Sequence, residues 1–254
     1  MKKLIALIVL FSSFVNAQVY EIIYETQVQT FYTEKGIKVW EEWVDSPKEL
    51  EEVIELNRNP PKEQFKFIYN EQLSKVVYQP KVSNNQSQED IMVKKLPYNI
   101  NGDVINNYQS NQFSYEMDVY GKKYLVKDNL IDIDLVDTGN RKKLIGFDVF
   151  EATGKKDDLD IIIWYTKQIP YTYTPDIYST KNGFILELHY KMKNEESEMI
   201  NSWLAIDKKE LRKSPKISLP TKGKEIKLNE VDKIWDDANE VFNNMNSEGI
   251  EKKD

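Results

Sequence analysis

WYTKQIPYTYTPDIYSTKNGFILEL, residues 164–188, holds two apolar runs separated by a span rich in tyrosine and threonine. Pro170 and Pro175 fix φ and lack an N–H, so they end the strand ahead of them and hold the chain extended. Between them Tyr171, Thr172, Tyr173 and Thr174 can alternate faces. Asn182 and Gly183 can supply the positive φ of a tight turn. Beyond that turn Phe184, Leu186 and Leu188 face one way, and Ile185, Glu187 and His189 the other. The stretch reads as a strand that leaves a sheet, crosses over and returns to it.

The same period of two runs outward along the chain. Tyr20, Ile22, Tyr24, Thr26 and Val28 alternate with polar residues, broken only at Ile23, and Ile131, Ile133 and Leu135 alternate with Asp132 and Asp134. Strand-like runs rich in Tyr, Phe, Ile and Val lie at Lys38–Trp43, Gln64–Tyr69, Ser74–Tyr78, Phe113–Tyr120, Lys143–Ala152, Asp160–Thr166, Gly183–Met192 and Ile200–Ile206. Alternation of this kind gives a sheet with one face on a core and one in water. Two segments have helical spacing instead. Ser46 as N-cap, Pro47 at N1 and Glu49 in a capping box start a helix carrying Leu50, Val53 and Ile54, which ends before Pro60 and Pro61. From about Asn229 to Phe242, Val231, Ile234, Trp235, Ala238 and Val241 share one face, so both helices are expected to cover a sheet face. Ser83–Asp90 and Asn99–Asn111 read as loops. The expected fold is mostly β (α+β): a curved antiparallel sheet or open half-barrel with one helix in the N-terminal half and one C-terminal helix. Residues 18–243 form one domain in this reading, and 244–254 a flexible tail.

Lys2 and Lys3, the apolar stretch Leu4–Phe14 and the compact residues before Ala17 read as a signal peptide over residues 1–17. The expectation is export to the periplasm or the outer membrane. The apolar stretch is shorter than the ~20 residues of a spanning helix, so no transmembrane segment is expected after cleavage. The chain has no Cys, so it has no disulfide and no lipidated N-terminal Cys; packing alone must hold it. It carries 35 basic and 42 acidic residues. That balance argues against nucleic acid as a partner and against docking on anionic lipid.

Several stretches resemble the GLPGLI family of secreted Bacteroidota envelope proteins. Trp164-Tyr165, Ile169-Pro170, Pro175 and Ile185-Leu186 fall where that family carries its aromatic start, its IP and GP pairs and the end of its name motif. YLVKDNLIDI (124–133) resembles the family's YLVKD strand pair, and LIGFDVFEAT (144–153) resembles its IGGYKCQKAT strand. The resemblance covers residues 113–190 best. TKNGFIL stands where GLPGLIL would, Thr174 replaces a Gly and Val149 a common Cys, so the chain resembles a divergent member. The resemblance implies a β-rich fold in the cell envelope and implies no activity.

Chemistry is sparse. His189 is the only histidine, which removes any site needing two, and no nucleophile elbow, phosphate loop, dinucleotide fingerprint or zinc motif is present. Carboxylates that could pair are Glu41 with Glu42, Asp132 with Asp134, Asp157 and Asp158 with Asp160, and Glu187, but 42 acids produce such pairs by chance. Fifteen Tyr, ten Phe and five Trp are the larger surplus and suit a binding groove as well as strands. The expectation is a non-enzymatic envelope protein that binds a partner protein or an apolar, lipid-like ligand. Tyr165, Tyr171, Tyr173 and Tyr178 would form the binding rim, with no catalytic residue, metal or cofactor. Two alternatives stand beside it: an accessory subunit of an outer-membrane protein complex, and a carboxylate-dependent glycan hydrolase.

Overall fold

The computed structural model describes residues 18–80 and 103–248, with side chains as far as Val241. The expected leader, the Ser83–Asp90 loop and the last six residues of the expected tail lie outside the described residues. In chain order the elements are β1 (Val19–Tyr32), α1 (Glu34–Glu41), α2 (Pro47–Arg58), β2 (Glu63–Tyr69), β3 (Leu73–Gln79), β4 (Val104–Asn107), β5 (Gln112–Val119) and β6 (Lys122–Asn129). They continue with β7 (Ile131–Asp132), β8 (Val136–Leu144), β9 (Phe147–Lys156), β10 (Leu159–Thr166), β11 (Tyr178–Ser179), β12 (Phe184–Lys193), β13 (Ser197–Leu211) and β14 (Lys224–Ile226). A 3-10 turn (Leu228–Glu230) then leads into α3 (Val231–Glu248). Over the described residues the protein is mostly β.

Twelve strands form one sheet in the order β14-β6-β5-β4-β3-β2-β1-β13-β12-β10-β9-β8, which is not closed into a barrel. The sheet is mixed rather than purely antiparallel, because β14 joins the edge strand β6 in parallel. β7 and β11 form a separate parallel pair. The longest pairing joins β1 to β13, from Val19 opposite Leu211 to Tyr32 opposite Ser197. Register shifts between Ile23 and Tyr24 on β1 and between Trp164 and Tyr165 on β10 mark bulges, which bend and twist a sheet. The bend is visible in the packing. Phe67 on β2 meets Phe184 on β12 with ring centroids 5.7 Å apart, although β1 and β13 lie between those strands. Tyr24, Phe67, Phe113, Tyr115, Ile163 and Trp203 are fully buried on this inner side. Each such side chain contributes about 1.5–3 kcal/mol of burial.

Most strands lie where the alternation puts them. Of the alternating run Ile131–Leu135 only Ile131–Asp132 is a strand, and three further segments differ. Lys38–Trp43 is not a strand: Thr33 accepts a hydrogen bond from the Gly36 N–H and caps α1, and Gly36 packs so closely on the Glu196 carbonyl that a Cβ would stand 2.1 Å from it. Lys143–Ala152 is not one strand but the β8–β9 hairpin. Ile145 and Gly146 both have positive φ, as a type I′ turn requires, and a β-branched Ile at its first position gives no turn signal in sequence. Asn99–Asn111 contains β4, whose Asn106 faces the core. The capping of α2 is as read, with Ser46 accepting from the Glu49 N–H at 3.2 Å, but Glu49 accepts in turn from the Asp45 N–H. α1 is a third helix beside the two expected, and α3 runs on to Glu248, into the stretch expected to be tail. α3 holds to the sheet through Val231 and through Trp235, which meets Tyr120 edge-on.

Candidate functional site

Residues 167–183 leave the sheet after β10 and return to it at β12, directly beside β10. The excursion goes through the inside of the bend. Ile169, Tyr173, Ile177 and Tyr178 belong to the same core cluster as the strands. Tyr173 donates to the Asn70 carbonyl at 3.0 Å and stacks on Tyr108 at 3.8 Å, while Asn106 donates to the Asp176 carbonyl at 2.7 Å. On the other side the Ile185 N–H donates to the Tyr173 carbonyl. β7 is stitched to the segment through Ile131 N–H to the Ile177 carbonyl and Ile133 N–H to the Ser179 carbonyl, both at 3.0 Å. The crossing segment thus ties β3–β5 to β10 and β12 and packs the concave side of the sheet.

This placement decides what the four tyrosines can do. Tyr165, Tyr173 and Tyr178 are 1%, 4% and 3% exposed and act as core; Tyr171 is half-buried and stacks on Tyr173. Tyr171 and Tyr173 lie together with Tyr69, and Tyr178 packs on Tyr190. Tyr165 is apart from them, and its hydroxyl reaches a surface pocket.

That pocket, about 360 Å³, sits at the foot of the crossing, where the segment departs and returns. The linker between β7 and β8, with Asp134, and the start of β8, with Asp137, form one wall; Lys167 and Lys181 come from the two ends of the crossing; Asn182 comes from the return turn. Asp137 Oδ1 accepts from the Tyr165 hydroxyl at 2.8 Å and from Asn182 Nδ2 at 3.2 Å. Thr180 donates to Asn182 Oδ1 at 2.6 Å, which fixes the direction of the amide. Burial, reinforced by Asp137, pushes the Tyr165 hydroxyl up to about 12, so it stays a hydrogen-bond donor. Gly183 serves this packing through its size rather than through a positive φ. A Cβ there would lie 2.6 Å from the Tyr165 ring and 2.7 Å from the Thr166 carbonyl. Of these residues the sequence singled out Tyr165, Asn182 and Gly183. Asp137, Lys167 and Lys181 are ordinary surface residues until the fold brings three segments together.

Glu187 and His189 lie on the opposite face of β12. Glu187 is 8% exposed, pairs with Lys142 and accepts from His189 Nε2 at 2.8 Å; Lys142 stands 4.0 Å over the Trp164 ring. Burial pushes the Glu187 carboxyl up, but the hydrogen bonds from His189 and Lys142 outweigh it and hold the group below its ordinary value. A carboxyl held ionised is a poor proton donor for glycoside cleavage. Among the described residues no three His, Cys, Asp or Glu side chains converge as a metal site, and no helix is long and apolar enough to cross a membrane.

No family model and no curated protein matches the chain. Among solved structures, two crystal forms of PNGF-II resemble it. In the P21 form the TM-score is 0.53 at 19% identity, and in the C2 form 0.51 at 18%. Each match covers 86% of this chain and 33% of the PNGF-II chain, so the likeness is one of fold and extends over a third of the longer protein.

Proposed function

We propose that the protein is a non-catalytic binding module that recognises a polar, sugar-sized ligand, a unit of a glycan, in the pocket at the foot of the crossing. The observation that carries this is the network Tyr165–Asp137–Asn182, which holds a carboxylate and an amide in fixed directions beside an open pocket. Fixed acceptors and donors on rigid elements are what hydroxyl-rich ligands need. An apolar ligand in the concave face is a weaker reading, because the crossing segment fills that space. Export through the leader at residues 1–17 and membership of the GLPGLI family belong to this proposal and put the ligand in the cell envelope. The test is binding of the full chain to immobilised envelope glycans. Wild type is expected to bind and Asp137→Ala to lose at least tenfold in affinity while unfolding at a similar temperature. A wild-type chain that retains no glycan sinks the reading.

A second reading rests on Trp43, which is 79% exposed at the α1–α2 corner, with Val39 also exposed. Glu41, Glu42, Asp45, Glu49 and Glu52 surround it in sequence and are exposed. An exposed Trp with an acidic rim suits a protein partner with a basic surface, and it repels anionic lipid. A photo-crosslinker at position 43 should then join one partner, with a yield that falls as salt rises. Crosslinks indifferent to salt count against it.

A further inference from the structure

β1 pairs with β13 along its whole length, and the two ends of that pair carry opposite charge. At the Tyr32 end β1 passes into α1, which is held to the β12–β13 turn by the Thr33 N–H donating to the Glu196 carbonyl at 2.8 Å. Residues 34–55, which carry α1 and most of α2, hold eight acids and three lysines, and the exposed turn adds Glu195 and Glu196. Trp43 and Val39 stand exposed on this surface. At the Val19 end β13 runs out at Leu211. Residues 208–216 there hold Lys208, Lys209, Arg212, Lys213 and Lys216 against Glu210 alone. Arg212, Lys213 and Lys216 are exposed on a strap that leaves β13, and Asn70 Nδ2 pins the strap to the β2–β3 turn by donating to the Pro215 carbonyl at 3.3 Å. β1 has 14 residues, so the acidic and basic ends lie about 45 Å apart on one sheet. One molecule cannot bring them together.

We propose that the two ends are the two halves of one interface, and that the partner of the Trp43 corner is the basic strap of a second copy of this chain. This rests on the second reading above and names its partner. A Trp ring is the best face for an Arg or Lys cation, so Trp43 seats among Arg212, Lys213 and Lys216, whose methylene stems give it apolar cover. The acids around Trp43 face the same cations and steer the approach. The two surfaces differ and lie at opposite ends, so the contact is heterologous. Each pair leaves one acidic and one basic end free, and further copies add head to tail instead of closing a two-fold dimer. An anionic membrane would attract the strap alone and give Trp43 no role.

The experiment is sedimentation of the whole chain. The mean mass is expected to rise with concentration at about 50 mM salt and to fall to that of one chain at about 500 mM. Two variants separate the surfaces. Arg212→Gln with Lys213→Gln and Lys216→Gln strips the strap, and Glu42→Gln with Trp43→Ser strips the corner. All five side chains are exposed, so both variants should unfold at the wild-type temperature. Each alone should remain a single chain. An equal mixture should form pairs and nothing larger, because a pair consumes the only intact corner and the only intact strap of its members. A photo-crosslinker at position 43 should join residues 208–216 of another copy. A strap variant that assembles like wild type overturns the inference. So does a wild type that stays a single chain at low salt while the crosslinker joins a different protein in a cell extract, and that result leaves the reading of a basic partner standing. No salt-sensitive crosslink to any chain removes both. A single-chain wild type that binds phosphatidylglycerol vesicles, with the strap variant failing to bind, overturns the inference in favour of a membrane surface.

Discussion

Asp176 is a carboxyl that forms no ion pair among the described residues, 5% exposed on a segment that crosses the core. Burial pushes it from 3.8 up to about 6, against hydrogen bonds from the Ile177 N–H and from Tyr190 that favour the anion. A carboxyl raised in the folded state binds its proton there first. Stability is therefore highest below the unfolded pKa, falls as pH climbs between about 4 and about 6, and stays reduced above that, by an amount on the order of 3 kcal/mol. Asp176→Asn removes the charge and keeps an acceptor for Ile177. The variant should gain stability over wild type at about pH 7.5 and nothing at about pH 4, read as the difference in urea midpoints. An equal gain at both pH values would mean that the charge is not the cause. Gly183 makes the opposite case, a residue whose value is the atom it lacks. Gly183→Ala puts a methyl group against the Tyr165 ring and a backbone carbonyl, and it should cost about 1–3 kcal/mol by overpacking. Gly139→Ala is the control: it has open space around it and a φ of 87°, so only the backbone term of roughly 1 kcal/mol applies.

The crossing segment is an element without regular structure, yet it behaves as core. Its strongest ties are the Tyr173 ring, stacked between Tyr108 and Tyr171, and three carbonyls that accept from Ile131, Ile133 and Ile185. Amide exchange at those three residues should be as slow as in β2, and Tyr173→Ala, at roughly 3–5 kcal/mol, should speed it. Fast exchange in wild type with β2 still protected would make the segment a flap that opens by itself. Its departure and return were legible, because Pro170, Pro175 and the Asn182–Gly183 pair are strong punctuation. Its path was not, because nothing local says that Tyr173 turns inward to meet Asn70 and Tyr108, about 65 to 100 residues earlier in the chain. The same limit explains the pocket. Tyr165 stood out as an aromatic, while Asp137 and the two lysines gain meaning only from a contact between β7–β8 and the return turn. α1 was hidden for a local reason: KVWEEW alternates well enough for a strand, and the deciding features are the Thr33 cap and the fit of Gly36 on Glu196, a contact across 160 residues.

At the scale of the whole molecule the sheet is organised around its most distant pairing. β1 lies near the middle of the strand order and needs β13 on one side, with Val19 opposite Leu211. The N-terminal limb, β1 to β6, is mostly hairpin-connected, but its concave side is completed by Phe184, Trp203 and the crossing segment, all from the second half of the chain. Closing so large a loop before any contact repays it is slow, and sheets dominated by such contacts fold in milliseconds to seconds or longer. Refolding by dilution from urea should therefore be slow, with losses that rise with protein concentration while apolar strands wait for partners. A chain stopped after Lys193 tests the cause. It keeps ten of the twelve strands of the large sheet, losing β13 and β14, and leaves β1 and β12 with open apolar edges on either side of a gap. It should show no cooperative unfolding transition and should aggregate. A cooperative transition in that shortened chain would mean that the N-terminal limb holds a core of its own, and that β13 closes a structure already folded.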